Sequence, residues 1–379
     1  MKKIMLLARD PGGANVVGAL VEALRAKGYK LAVYGKDQAC RRFEQMKIDN
    51  IDLNQVLKMS DAEEWLPFLQ REKPDFILTG TSGDDFSERW LWQAAHIGRV
   101  KCAAILDQWM NFGIRFSVFT TAEQEEYAAS HVHPYIPDYI LVMDEEIRRC
   151  LIDDGIPPQR IYVTGQPYFD YLLAIKEKYN RTEKMNRPVR GATERELRVT
   201  YVSEPLSYDY RGDSTESKPY WGYDEITIAR QLFAALQDIG RMHQRRIVVI
   251  TKLHPREPGG KYPELIQQFA DSCLHIEVVK ETEPWEFIQA SHLVCGMSSM
   301  LLLESVLLGK ATLSIQIGLE RPSPFVLDQR GILPSIRDYN ELYRQLRDIL
   351  IYRKVQEINW RPEAGAIKKI IKIVEEEHE

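Results

Sequence analysis

The stretch that decides the fold is HLVCGMSSMLLLESVLL, residues 292–308. Its first four residues form a short, mostly apolar run, which is typical of a buried parallel strand. Gly296-Met297-Ser298-Ser299 follows, and the apolar spacing from Met300 to Leu308 then predicts a helix. A strand that runs through a glycine-containing turn into a helix is the building unit of sheets covered by helices.

The same alternation of strand and helix runs through the chain. Apolar runs in the first half predict strands at residues 4–8, 31–34, 76–79, 102–106, 139–143 and 161–164. Similar runs in the second half predict strands at residues 197–202, 246–251, 276–279, 292–295 and 312–315. Helical stretches between strands indicate parallel, doubly wound sheets. The sequence therefore predicts an α/β protein with two Rossmann-like domains whose strand ends face each other across a cleft.

The length of the chain and one charged stretch suggest the domain boundaries. The chain has 379 residues, of which 44% are apolar and 28% charged, values that suit two globular domains. We predict an acceptor-side domain over residues 1–175, a charged linker over 176–196 and a nucleotide-binding domain over 197–355. Residues 356–379 are predicted to form a C-terminal helix that crosses back toward the first domain.

Composition excludes several classes of function. The net charge of -5 argues against a nucleic-acid binder, whose domains are usually strongly basic. No apolar run approaches the roughly 18 residues of a membrane-spanning helix, although peripheral membrane contact is left open. The cysteines are scattered without zinc spacing, which favours a reducing cytoplasm; they are Cys40, Cys102, Cys150, Cys273 and Cys295.

The turn that opens the quoted helix predicts an anion site. A helix N-terminus has free N–H groups and a partial positive charge, so it attracts phosphate. Gly296 allows close approach of the backbone, and the hydroxyls of Ser298 and Ser299 add donors. Glu304 lies one to two turns into the helix, where its carboxylate is expected to accept from a ribose or sugar hydroxyl. The alternative is a plain serine N-cap.

A second loop of the same domain adds cations. In Lys252-Leu253-His254-Pro255-Arg256, the side chains of Lys252 and His254 point the same way if the chain is extended. Beside a phosphate they would neutralise a leaving nucleotide, which makes His254 a catalytic candidate. Glu204, after the first strand of this domain, is expected to contact the base or the ribose. The alternative is a structural histidine.

The catalytic base is expected in the first domain. Asp107 follows the strand at 102–106, where a carboxylate could deprotonate an acceptor hydroxyl. Asp84 and Asp85 are the rival pair. They are adjacent and not spaced as D-x-D, so no metal is expected.

The loop after the first strand is expected to line the acceptor side of the cleft. Asp10-Pro11-Gly12-Gly13-Ala14-Asn15 is predicted to be a turn. It is not G-x-G-x-x-G, so it does not favour a dinucleotide. Its candidate contacts are Asp10, Gly12, Gly13 and Asn15, and no resident cofactor is expected.

These motifs resemble those of a known group of enzymes. Lys252-Leu253-His254-Pro255 with Ser298-Ser299 resembles the HP and serine motifs of bacterial sialyltransferases, polysialyltransferases and related capsule transferases. The resemblance implies a GT-B fold, polysaccharide biosynthesis and a CMP-activated nonulosonic or related acid as donor. It also implies that His254 and the serines hold the CMP phosphate. The base of those transferases lies in a D/E-D/E-G motif, whereas Asp84-Asp85 is followed here by Phe86.

A second resemblance supports another function. Residues 163–170, VTGQPYFD, are similar to the interdomain segment of non-hydrolysing UDP-GlcNAc 2-epimerases, which share the GT-B architecture. Those epimerases have paired glutamates after a serine-rich loop, where this chain has Glu304 alone. The sequence favours a glycosyltransferase that moves a sugar from a nucleotide donor to a glycan, lipid-linked or protein acceptor. The alternatives are an epimerase, which needs no acceptor, and a non-catalytic nucleotide- or glycan-binding protein.

Overall fold

The chain folds into two compact units. The structure, a computed structural model, describes residues 2–57, 63–185, 196–210, 218–258, 260–269, 271–280, 284–354, 358 and 360–377. Unit 1 comprises Met1–Ala174 with Pro362–Glu379, and unit 2 comprises Ile175–Arg361. Within the described ranges, every helix is too short or too polar to cross a lipid bilayer.

Among the described residues, unit 1 is built on a parallel sheet of seven strands. They are β1 Lys3–Ala8, β2 Lys30–Gly35, β3 Ile51–Asp52, β4 Phe76–Thr79, β5 Lys101–Ile105, β6 Tyr139–Val142 and β7 Ile161–Val163. Their order is β3-β2-β1-β4-β5-β6-β7, so the winding direction reverses between β1 and β4. Nearly every residue of β1 and β4 is buried, because helices cover both faces of a parallel sheet. Ligands of such sheets bind at the carboxyl ends of the strands, beside the reversal.

Among the described residues, nine α-helices begin in the part of unit 1 that precedes unit 2. They are α1 Pro11–Gly18, α2 Val21–Ala26, α3 Gln38–Gln45, α4 Leu53–Val56, α5 Trp65–Glu72, α6 Ser87–Gly98, α7 Gln124–Ser130, α8 Glu145–Asp153 and α9 Pro167–Met185. The boundary between the two units falls inside α9.

In the part of unit 2 that the structure describes, five strands form a parallel sheet. They are β8 Glu196–Val202, β9 Arg246–Lys252, β10 Leu274–Val279, β11 Leu293–Gly296 and β12 Thr312–Ser314. The order β10-β9-β8-β11-β12 places the reversal between β8 and β11. The helices of this unit are α10 Leu206–Asp209, α11 Glu225–His243, α12 Pro263–Phe269, α13 Pro284–Ala290, α14 Met300–Leu307, α15 Val326–Gln329 and α16 Tyr339–Leu350.

The last helix, α17 Ala366–Glu376, belongs to unit 1 although it follows unit 2 in sequence. The carboxylate of Asp170 accepts the N–H groups of Gly365 at 3.2 Å and Ile367 at 3.0 Å. Lys27 and Glu375 form an ion pair of 2.8 Å. These contacts hold α17 against the part of unit 1 that precedes unit 2 in sequence.

Two local predictions differ from the structure. Residues 176–185, predicted to be linker, continue α9, while 186–195 lie outside the described residues. Lysine and glutamate are good helix formers, so a charged stretch without apolar residues does not exclude a helix. The predicted turn at Asp10-Pro11-Gly12-Gly13 is the start of α1. Proline suits the first helical position because its missing N–H would have no helical partner there.

Candidate functional site

Two glycines meet at the point where the winding of unit 1 reverses. Gly13 lies in the first turn of α1, and Gly80 directly follows β4. A Cβ on Gly80 would lie 2.7 Å from the Cα of Gly13, and a Cβ on Gly13 would lie 3.3 Å from the Cα of Gly80. Only glycine allows this approach, which brings the start of α1 against the end of β4.

Replacing Gly80 with alanine is expected to destabilise unit 1 by about 2 kcal/mol, because the new methyl group would press on backbone that cannot move away. Gly98→Ala is the matched control, since a Cβ there meets its nearest atom at an ordinary 3.7 Å. Urea unfolding followed by circular dichroism measures both variants. Equal urea midpoints for Gly80→Ala and Gly98→Ala would show that Gly80 and Gly13 are not in tight contact.

Asp107, the predicted base, lies over the start of α1. A Cβ on Gly12 would clash with its Oδ2. Its Oδ1 accepts from Arg115 at 3.2 Å, and the two side chains are only 3% and 4% exposed. Burial raises the pKa of Asp107 above its ordinary value, and the charge of Arg115 acts in the opposite direction. The structure thus places a buried, cation-paired carboxyl group at the end of β5.

Glu88 is a candidate that sequence reasoning missed. It lies in the first turn of α6 and is 1% exposed. Its Oε2 accepts the N–H of Ser82 at 2.8 Å, and its Oε1 has no hydrogen-bond partner among the described residues. Burial raises the pKa of Glu88 to about 8, and the charges of Asp10 and Asp85 act in the same direction. Glu88 is therefore mainly a neutral carboxylic acid at pH 7.

Asp10, Glu88, Asp107 and Arg115 form one electrostatic group, here called the carboxyl cluster. The charge of Asp10 raises the pKa of both Glu88 and Asp107, and the charge of Arg115 lowers both. Asp10 and Gly12 are half-buried, so the cluster reaches solvent at the start of α1. Carboxyl groups whose surroundings shift their pKa values are candidates for acid–base roles.

The other candidates of unit 1 are engaged in contacts with its own side chains. Asp84 is exposed and accepts the hydroxyl of Thr121. Burial would raise the pKa of Asp85, but hydrogen bonds from Lys36 and Ser87 bring it below its ordinary value. Asn15 accepts from Arg42 at 2.6 Å. Within unit 1, Asp107 is therefore the predicted base that combines burial with a raised pKa.

In unit 2, the predicted phosphate loop surrounds a carboxylate of the chain itself. Oε1 of Glu204 accepts the N–H groups of Met297 at 3.3 Å, Ser298 at 2.6 Å and Ser299 at 3.0 Å. Its Oε2 accepts the hydroxyl of Ser298 at 2.6 Å. We call residues 297–299 the anion nest. The nest lies beside β8 and β11, where the winding of this sheet reverses.

The sequence around the anion nest explains its shape. A Cβ on Gly296 would lie 2.8 Å from the carbonyl oxygen of Val202, so glycine is needed where β11 passes β8. Ser299 is the N-cap of α14, and its hydroxyl accepts the N–H of Leu301 at 3.3 Å. The N-cap interpretation therefore holds for Ser299, while Ser298 faces Glu204. Glu304 is buried on α14.

His254 is half-buried in the loop after β9. Its Nδ1 accepts the N–H of Arg256 at 3.2 Å, which leaves the proton of the neutral ring on Nε2. Burial lowers the pKa of His254 to about 4, and the charges of Arg256, Lys252 and Lys280 act in the same direction. At pH 7 the ring can donate a hydrogen bond but carries no charge, unlike the cation that the sequence suggested.

Lys252 and Glu257 shape the same loop. The ammonium group of Lys252 donates to the carbonyl oxygens of Leu253 at 3.0 Å and Lys280 at 2.7 Å. The carboxyl group of Glu257, which sequence reasoning missed, accepts the N–H of His254 at 3.2 Å. Burial raises the pKa of Glu257 to about 7. These contacts make Lys252 and Glu257 supports of the His254 loop.

One group of metal-type ligands occurs among the described residues, formed by His96, Cys102 and Asp138. The carboxylate of Asp138 is already paired with Lys101 at 3.3 Å and Arg160 at 3.0 Å. Burial raises the pKa of the Cys102 thiol well above its ordinary value. A metal ion would have to displace both cations and the thiol proton, so we assign no metal here.

Comparisons with known proteins identify the architecture. No protein-family model and no curated protein matches the sequence. A UDP-GlcNAc 2-epimerase from Neisseria meningitidis bound to UDP-GlcNAc has a TM-score of 0.67 at 15% identity, over 99% of this chain and 100% of that chain. The UDP-GlcNAc 2-epimerase from Methanocaldococcus jannaschii has a TM-score of 0.66 at 15% identity, over 99% of each chain.

MurG from Acinetobacter baumannii has a TM-score of 0.51 at 11% identity, over 99% of this chain and 100% of that chain. These matches run through both units. The chain has the GT-B fold. The GT-B fold confirms the predicted class of two Rossmann-like, doubly wound domains. The resemblance to UDP-GlcNAc 2-epimerases is supported at the level of fold, and the resemblance to sialyltransferases stays a prediction.

Proposed function

We propose that this GT-B chain is an epimerase of nucleotide sugars, an enzyme that inverts the configuration at one carbon of the sugar. The observation that carries the proposal is the carboxyl cluster of unit 1. It combines Glu88, which is mainly protonated at pH 7, with Asp107, whose ionised form is stabilised by the ion pair with Arg115. The likeness of the whole chain to two UDP-GlcNAc 2-epimerases favours the same choice.

The chemistry of epimerisation explains why two carboxyl groups matter. Inverting a carbon that bears hydrogen requires one group that removes a proton and another that returns a proton. A buried carboxylate with a raised pKa is a stronger base than an exposed one, and a carboxyl group that stays neutral at pH 7 can donate a proton. We assign the base role to Asp107 and the acid role to Glu88.

Unit 2 is proposed to bind the nucleotide. The anion nest offers three N–H groups and the hydroxyl of Ser298, and His254 offers its Nε2–H. The side chains of Ser298, Ser299 and His254 are only half-buried, so solvent and ligands can reach them. As the substrate we favour a UDP-sugar over a CMP-sugar, because the Neisseria meningitidis enzyme was crystallised with UDP-GlcNAc.

Incubation with UDP-GlcNAc alone in deuterium oxide tests the proposal. Proton NMR is expected to show a second nucleotide sugar with an inverted carbon that has gained deuterium from solvent. Thermal shift with UDP-GlcNAc, run in parallel, establishes that the sugar nucleotide binds. Binding without any change in the sugar or its deuterium content would overturn the epimerase proposal.

Glycosyl transfer is the second candidate, favoured by the position of Asp107 just after β5, where a base could deprotonate an acceptor hydroxyl. It predicts that free nucleotide is released from a CMP- or UDP-sugar only when an acceptor is added. The acceptor would be a glycan, a lipid-linked sugar or a protein. Release of nucleotide that depends on the acceptor, without epimerisation of the donor, would decide for this candidate.

A further inference from the structure

The anion nest of unit 2 already holds an anion that the chain itself provides. The carboxylate of Glu204 makes four hydrogen bonds with residues 297–299, three of them from backbone N–H groups. Oriented N–H groups and a hydroxyl at a helix N-terminus are the donors that phosphate oxygens accept from in proteins. Glu204 therefore satisfies the same donors that a nucleotide phosphate would need.

A buried hydroxyl of unit 2 has no hydrogen-bond partner among the described residues. Tyr223 is 1% exposed, and its hydroxyl has no hydrogen bond with any described residue. Burial raises the pKa of Tyr223, and Glu204 exerts the largest effect on it among the neighbouring charges. A buried hydroxyl without a partner costs about 1–3 kcal/mol. The hydroxyl of Tyr223 is thus a buried donor that the described residues leave unsatisfied.

The backbone on both sides of Glu204 is held in place. The hydroxyl of Ser203 donates to Glu257 at 2.8 Å, and the N–H and hydroxyl of Ser207 donate to Glu225 at 3.0 and 2.6 Å. None of these anchoring contacts involves the carboxyl group of Glu204, so they do not depend on its place in the nest. Glu204 and Ser298 are each half-buried as whole residues.

We propose that Glu204 is a built-in competitor of the nucleotide phosphate, which must displace its carboxylate from the anion nest before binding. The inference rests on the proposed function, since that function assigns the nest to the phosphate. The competition lowers affinity for nucleotide and selects for ligands whose phosphate carries more charge than one carboxylate.

Calorimetric titration of Glu204→Ala and Glu204→Gln with UDP and with inorganic pyrophosphate tests the inference. The alanine variant is expected to bind both ligands at least about tenfold more tightly than the natural chain, because the nest is vacated. The glutamine variant is expected to gain less, since its amide oxygen can still accept from the nest. Glu264→Ala removes an exposed carboxylate from α12 and serves as the control for charge alone.

The inference would be overturned if both variants bound UDP and pyrophosphate no more tightly than the natural chain does. Glu204 would then be a structural brace of α14. If the alanine variant does not fold, the glutamine variant alone decides. Adding Ser298→Ala to Glu204→Ala is expected to reduce the gain, because the phosphate then loses one of the four donors of the nest. Tighter pyrophosphate binding by Glu204→Ala without turnover of UDP-GlcNAc by the natural chain would contradict the epimerase proposal and leave this inference standing.

Discussion

Under the proposed epimerase function, Asp107→Asn is expected to lower the rate of UDP-GlcNAc epimerisation by about a thousandfold, the usual size of a lost general base. The amide cannot accept a proton at neutral pH, although it has nearly the size of the carboxylate. The fold should survive, because Arg115 keeps its bonds to the Thr81 hydroxyl at 3.0 Å and to the Asn111 carbonyl at 3.0 Å. Coupled assay of the product nucleotide sugar measures the loss.

Asp84→Asn is the matched control for this prediction, since Asp84 is the exposed rival that contacts Thr121. It is expected to keep activity within about twofold of the natural chain, because a surface carboxylate outside the cluster holds no catalytic proton. Equal losses in both variants would remove the preference for Asp107. Full activity in Asp107→Asn would contradict its role as the base.

Glu88→Gln is expected to make the stability of unit 1 less dependent on pH. The pKa of Glu88 is raised from 4.5 to about 8. Between these values the folded chain keeps a proton that the unfolded chain releases, so stability falls as pH rises through this window. At about 1.4 kcal/mol per pH unit, the loss reaches roughly 5 kcal/mol at most above pH 8.

Denaturant unfolding at pH 5, 7 and 9 measures this effect. The glutamine variant and the natural chain should have similar stability at pH 5, where Glu88 is protonated in the folded chain. The variant should be the more stable of the two at pH 9. Glu22→Gln, an exposed change on α2, should leave the pH dependence unchanged. A constant difference between Glu88→Gln and the natural chain across the three pH values would contradict the prediction.

The fold could be predicted because parallel strands have a clear local signature. The run Ile4 to Ala8 is buried along its whole length, as a strand covered on both faces requires. The sequence did not predict the start of α1, because Gly12 and Gly13 are typical of a turn, whereas the structure uses Gly13 for the close approach to Gly80. Charge alone did not distinguish linker from helix at residues 176–185.

The sequence by itself determined the alternation of strands and helices, and it pointed to the loops at strand ends, because both depend on neighbours along the chain. Only the tertiary structure decided what those loops hold. Glu204 and Ser298 are 94 residues apart, yet they share a hydrogen bond. The high pKa of Glu88 depends on burial and on the distant Asp10. Desolvation and charge act through space, so no local pattern records them.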